Sequence, residues 1–157
     1  GKAYAQMIDA AEKQGTQIVS AAQNMTFTLG RARVTFIGPA RTQHTDSRDD
    51  GLTLRIDYGQ TSVVVTGCIT SNGEKEIVSS GAAAACDALI VSRGGTEAAT
   101  CAEWVEAAKP KVALITGKNP ANSVRIRLQK YGATVYAAKE NGVMTLFSDG
   151  QKITVEP

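Results

Sequence analysis

The sequence predicts an α/β fold, a mixed β-sheet with helices packed on it, and three observations carry that expectation. Two pairs of short β-type runs in the first 66 residues are joined by Gly-containing turns, as antiparallel hairpins are. From there on, apolar runs of a few residues alternate with helical stripes, the strand-and-helix order that a mixed sheet needs. The 157 residues, 43% of them hydrophobic and 20% charged, suit one folded domain over residues 1–157. A chain of that length buries about two thirds of its unfolded surface.

The elements follow in order. Tyr4, Met7, Ile8 and Ala11 recur at i, i+3, i+4 and i+7, the stripe of an amphipathic helix over residues 3–14 that Gly15 ends. Thr26–Leu29 and Arg33–Ile37, joined through Gly30-Arg31-Ala32, read as a first hairpin. Residues 39–51 are a polar loop with no periodicity, ending in Gly51. Leu52–Ile56 alternates cleanly, Tyr58-Gly59-Gln60 turns, and Ser62–Thr66 is a more buried strand, which makes a second hairpin.

Ser71 and Glu74 have the spacing of a capping box before a helix that ends near Gly81. Ala88–Val91 is a buried strand, and Cys101, Trp104, Val105 and Ala108 stripe a helix over residues 96–109 that Pro110 stops. Lys111–Ile115 is a further strand, followed by a helix opened by Asn119-Pro120, closed by Gly132 and striped by Val124, Leu128 and Tyr131. Three terminal β-runs, residues 134–136, 143–147 and 152–155, are separated by Glu140-Asn141-Gly142 and Asp149-Gly150, both suited to hairpin turns.

Composition excludes several classes. Seventeen basic against fifteen acidic residues leave a net charge of +2, short of the basic excess of sequence-independent phosphate binders. Apolar stretches such as residues 81–91 fall below the roughly 20 residues that span a bilayer, so the chain is expected to make no membrane contact of its own. Cys68, Cys86 and Cys101 are odd in number and lack C-x-x-C spacing, which argues against both a disulfide framework and a zinc knuckle. No G-x-S-x-G occurs and the sole histidine is His44, so acyl transfer by a Ser-His or Cys-His pair is not expected.

From about residue 50 onward, LTLRIDY (52–58), SVVVTG (62–67), DALIV (87–91), WVEAAKPKVALI (104–115), RLQKYGATVY (127–136) and GVMTLFSDGQKITV (142–155) follow one another in a telling order. In these phrases the chain resembles the C-terminal half of the metallo-β-lactamase-like domain of ComEC/Rec2-type DNA-uptake competence proteins. The resemblance implies half or more of an αββα sandwich whose metal ligands sit on loops at one sheet edge. The family's H-x-H-x-D-H motif lies in its N-terminal half, outside the matched phrases.

Where that family has Thr-Gly-Asp, Gly-His-His-Gly-Ser and His-Pro, this sequence reads Thr66-Gly67-Cys68, Ser92-Arg93-Gly94-Gly95-Thr96 and Asn119-Pro120. The turn formers stay and the ligands go. A hydrolytic zinc centre needs about three protein ligands and an open position for water, so Cys68, Arg93, Gly94 and Asn119 mark a degenerate metal site and no metal or other cofactor is expected. Cys68 is the one replacement able to ligate, and a single thiolate makes no site.

The resemblance therefore implies a non-catalytic domain of a bacterial competence and DNA-internalisation protein, extracytoplasmic, acting as scaffold or binding surface. The rival is a metal-dependent phosphodiesterase or nuclease completed by a missing N-terminal half. Expected partners are a second copy or that missing half, with weak DNA binding. Ser92–Thr96 is either an anion cradle or a plain strand-to-helix turn. Arg93, with Arg125, Arg127 and Lys130 on one helix, supplies candidate phosphate contacts. His44 is expected on the surface, Asp46, Asp49 and Asp50 in a solvated acidic loop, and Trp104 in the core.

Overall fold

The computed structural model describes residues 2–156. Its main sheet has seven strands in chain order: β1 (Thr26–Leu29), β2 (Ala32–Gly38), β3 (Thr53–Tyr58), β4 (Thr61–Val65), β5 (Ala88–Ile90), β6 (Val112–Ile115) and β7 (Thr134–Ala137). β1 to β4 are antiparallel neighbours, and β4 to β7 run parallel. Tight turns suffice for the first half, while each parallel step needs a crossover. Helices α2 (Ser71–Ser79), α3 (Ala102–Ala108) and α4 (Asn122–Lys130) provide the three crossovers.

Because every crossover advances one strand in the same direction, right-handed connection sets all three helices on one face. Ile77, Trp104, Val105, Ala108, Val124 and Leu128 from the helices accordingly share one core with Val64, Leu89, Ala113 and Ile115 from the strands. The sheet's other face carries two rows. Register aligns Val34, Ile56, Val63, Ala88 and Val112 in one and Phe36, Leu54, Val65, Ile90, Leu114 and Tyr136 in the next. Most of these are only half-buried.

Helix α1 (Lys2–Lys13) matches its expected span, yet none of its residues is buried and Tyr4 and Met7 are exposed. Several boundaries differ from expectation for local reasons. Thr70, not Ser71, caps α2 by accepting the Asn72 amide, and Glu74 points away from that cap. The helix expected from residue 96 begins only at Ala102, since the Thr100 and Cys101 amides are taken by Glu74 and Thr100 has a φ of +58°. The helix expected from Asn119 starts at Asn122.

The Glu140-Asn141-Gly142 segment does not make a hairpin. Residues Ala138–Asn141 form a short helix α5 that leads out of the sheet, and β8 (Thr145–Ser148) pairs with β9 (Ile153–Glu156) as a separate ribbon. That ribbon is moored to the β3–β4 turn. Gln60 donates its amide to the Gly150 carbonyl at 2.6 Å, and the Thr61 and Ser148 hydroxyls lie 2.7 Å apart. Gly59 is required at this crossing, because its φ is +59° and a Cβ would run into the Gly150 backbone.

Candidate functional site

In parallel α/β sheets, ligands bind beyond the carboxyl ends of the strands. Here the ends of β4, β5 and β6 lead into Gly67-Cys68, Ser92–Gly95 and Gly117–Asn119. Gly38 pairs with Thr53 and Leu54 with Val65, so the loop of residues 39–52 rises from the same edge. Four connections thus meet there, and they hold every residue the sequence marks as a relic of a metal site.

Cys68 and Asn119 are exposed. Arg93 is half-buried with φ +50° and donates its amide to the Gly67 carbonyl at 3.0 Å. Gly94, at φ +61°, packs on Gly117 so closely that a Cβ would stand 2.7 Å from the Gly117 Cα. The Ala121 amide reaches the Gly95 carbonyl at 2.8 Å. The strand-to-helix turn is therefore a backbone-packed junction that binds neighbouring loops together. Cys68, Arg93 and Asn119 supply one thiol, one cation and one carboxamide, short of the clustered ligands that a zinc centre takes. Among the described residues no group of three or more His, Cys, Asp or Glu side chains is placed to hold a metal ion.

The basic residues of α4 separate. Arg125 pairs with Glu140 at 2.5 Å, and Arg127 donates to the Thr100 carbonyl at 2.5 Å. Lys130 at the end of the helix is exposed.

The acidic loop is the larger correction. His44 lies in a peripheral loop, yet its side chain is only 3% exposed, held at Nδ1 by Asp50 Oδ1 at 2.8 Å and at Nε2 by Glu76 Oε2 at 2.7 Å. Arg41 grips Glu76 with two bonds of 2.9 and 3.1 Å. Asp49 is buried rather than solvated, accepting the Thr70 amide at 2.7 Å and the Thr70 hydroxyl at 2.9 Å. Gly73 permits that approach, since a Cβ there would sit 2.7 Å from Asp49 Oδ1. Asp46 binds Arg48, which holds its carboxyl well below the usual range at about 2, and Arg93 adds its field. Arg41, His44, Thr45, Asp46, Asp49 and Asn72 line a shallow cleft of about 400 Å³.

Glu74 is the other group that sequence reasoning misplaced. It is fully buried and accepts the Thr100 and Cys101 amides at 2.6 and 2.8 Å, tying α2 to the start of α3. Burial pushes its pKa up to about 7, against the two amides and Arg127. Cys86 and Cys101 are buried thiols pushed up to about 12 by burial, and so are inert at neutral pH.

The mixed seven-stranded sheet with helices on one face is compatible with an αββα sandwich. No protein-family model matches the chain. Among curated proteins the chain is similar to ComE operon protein 3 of Bacillus subtilis (strain 168). The two are 24% identical over 144 residues, which cover 88% of this chain and 19% of that protein. The chain thus spans less than a fifth of the length of the curated relative it matches.

Proposed function

We propose that this chain is a metal-site-degenerate, non-catalytic metallo-β-lactamase-like domain of a bacterial competence protein, serving DNA uptake as a scaffold or binding surface outside the cytoplasm. The similarity to a ComE operon protein supports the competence role. The observation that carries the non-catalytic reading is the meeting of the Gly67, Arg93-Gly94 and Gly117 loops at one strand-end edge with a donor-poor set of side chains. Phosphodiester hydrolysis needs an activated water and charge stabilisation at the phosphate. Arg93 offers the second alone. Arg93 and Lys130, with Lys118 beside Asn119, are the cations left for weak phosphate contact, and such binding falls steeply with salt.

The half-buried apolar rows of the helix-free face fit a partner, either a second copy or a further part of the longer protein. Light scattering that shows only monomer at high concentration argues against self-association.

The test of function is a nuclease assay on single- and double-stranded DNA with Mn²⁺, Mg²⁺ or Zn²⁺, alongside metal analysis of the purified chain. No metal-stimulated cleavage and no stoichiometric metal are expected. Zinc near one per chain that disappears in Cys68→Ser, or cleavage that survives repurification, would overturn the proposal. Two metals bound by the full-length protein but not by this chain would favour the rival phosphodiesterase.

A further inference from the structure

Both ring nitrogens of His44 face carboxylate oxygens, 2.8 Å from Asp50 and 2.7 Å from Glu76. A neutral imidazole carries one N–H, so at these distances its bare nitrogen would meet an anion with no proton between them. Only the imidazolium satisfies both contacts. The two carboxylates belong to different elements: Asp50 lies in the loop of residues 39–52, and Glu76 projects from α2. The His44 amide also donates to Asp50 Oδ1 at 3.1 Å, which fixes the ring's own backbone to the same oxygen.

We propose that His44 is a proton-operated clasp that tightens the loop of residues 39–52 against helix α2 when the imidazole is charged and loosens it when the imidazole is neutral, while Arg41 on Glu76 and Asp49 on Thr70 hold the loop in either state. The ring is faced by Asp50 from its own loop and by Glu76 from α2, with Arg41 standing behind Glu76. Asp49 lies near Arg41 and is satisfied by Thr70, so it is not a competing partner for the ring. The hydrogen bond to Asp50 raises the His44 pKa above its ordinary 6.5. Burial opposes this, and Glu76 adds to the rise. A raised histidine pKa stabilises the closed form fully below 6.5, and that stabilisation disappears as pH climbs through the folded pKa. The loop so controlled forms a wall of the cleft that it shares with Asn72 of α2.

Since His44 is the only histidine, its imidazole signals in a ¹H–¹³C spectrum of the intact chain are unambiguous. The clasp requires His44 to titrate above 6.5. It also requires amide exchange of residues 41–50, corrected for the intrinsic pH dependence, to accelerate across that titration. Each unit of upward shift corresponds to about a tenfold rise in loop opening once the ring is neutral. Asp50→Asn and Glu76→Gln should remove the step, and Glu74→Gln should leave it. Titration of His44 at or below 6.5 in the unaltered chain overturns the proposal without any variant. A step that persists in both carboxamide variants, or that vanishes in Glu74→Gln, overturns it as well, the latter by assigning the proton to the buried glutamate.

Discussion

The two faces of the main sheet differ although the same strands build both. On β4, Val64 points to the helices and is fully buried, while its neighbours Val63 and Val65 point the other way and are half-buried. The difference follows from topology. A sheet whose parallel strands advance in one direction receives all its helices on one side, so apolar residues alternate between a finished core and an open layer. Apolar residues on both faces of a strand signal that both faces are meant to be covered, and here the second is covered only in part: Val34, Ala88 and Leu114 are buried while Leu54, Ile56, Val63 and Val65 are half-buried.

Four measurements bear on this contrast. The strongest effect is expected at Trp104, fully buried at the centre of the covered face, where Trp104→Ala should cost about 3–5 kcal/mol in denaturant unfolding. A cost below about 2 kcal/mol would mean the helices are loosely seated. Next is the pH dependence of the same face. Folded Glu74 keeps its proton up to about pH 7, whereas the unfolded carboxyl loses it near 4.5. The native state therefore holds more protons in that window, and stability should decline as pH rises from 4.5 to 7. The decline is on the order of 3 kcal/mol at most. Glu74→Gln should flatten it, and a slope unchanged in that variant would place its source elsewhere.

The most direct comparison is between adjacent residues of one strand. Val64→Ala should cost about 2 kcal/mol, the lost transfer term plus a cavity. Val65→Ala should cost about 1 kcal/mol or less, from half burial of the same methyl groups. Equal costs would show the open face covered in solution, and dilution until the difference appears would identify a second copy as the cover. Smallest of all is Met7→Ser on α1, where no residue is buried; its effect should stay within about 0.5 kcal/mol by thermal melting.

The strands were legible because their signals are local. Alternation in Leu52–Ile56 and the Gly turns at residues 30 and 59 need no knowledge of distant chain, and both hairpins formed as expected. Cys68, Arg93, Gly94 and Asn119 stand on the loops that follow β4, β5 and β6. What could not be read was long-range polar pairing. Glu74 has capping-box spacing from Ser71, yet its partners are amides 26 and 27 residues away. His44 looked solvated because its neighbours in sequence are polar. Its confinement depends on Glu76, 32 residues on, and no periodicity announces such a contact. The one usable hint was composition, since a lone histidine among Arg41, Asp49 and Asp50 sits in a loop rich enough in charge to enclose it.

The contact between Gly94 and Gly117 acts as a ratchet. With a Cβ at position 94 coming within 2.7 Å of the Gly117 Cα, any side chain placed there must first push two loops apart, and the left-handed backbone resists it further. Position 117 is blocked in turn by the Gly94 backbone. A side chain at either place must be matched by changes in both loops at once, so the pair, once closed, admits no departure by single substitutions.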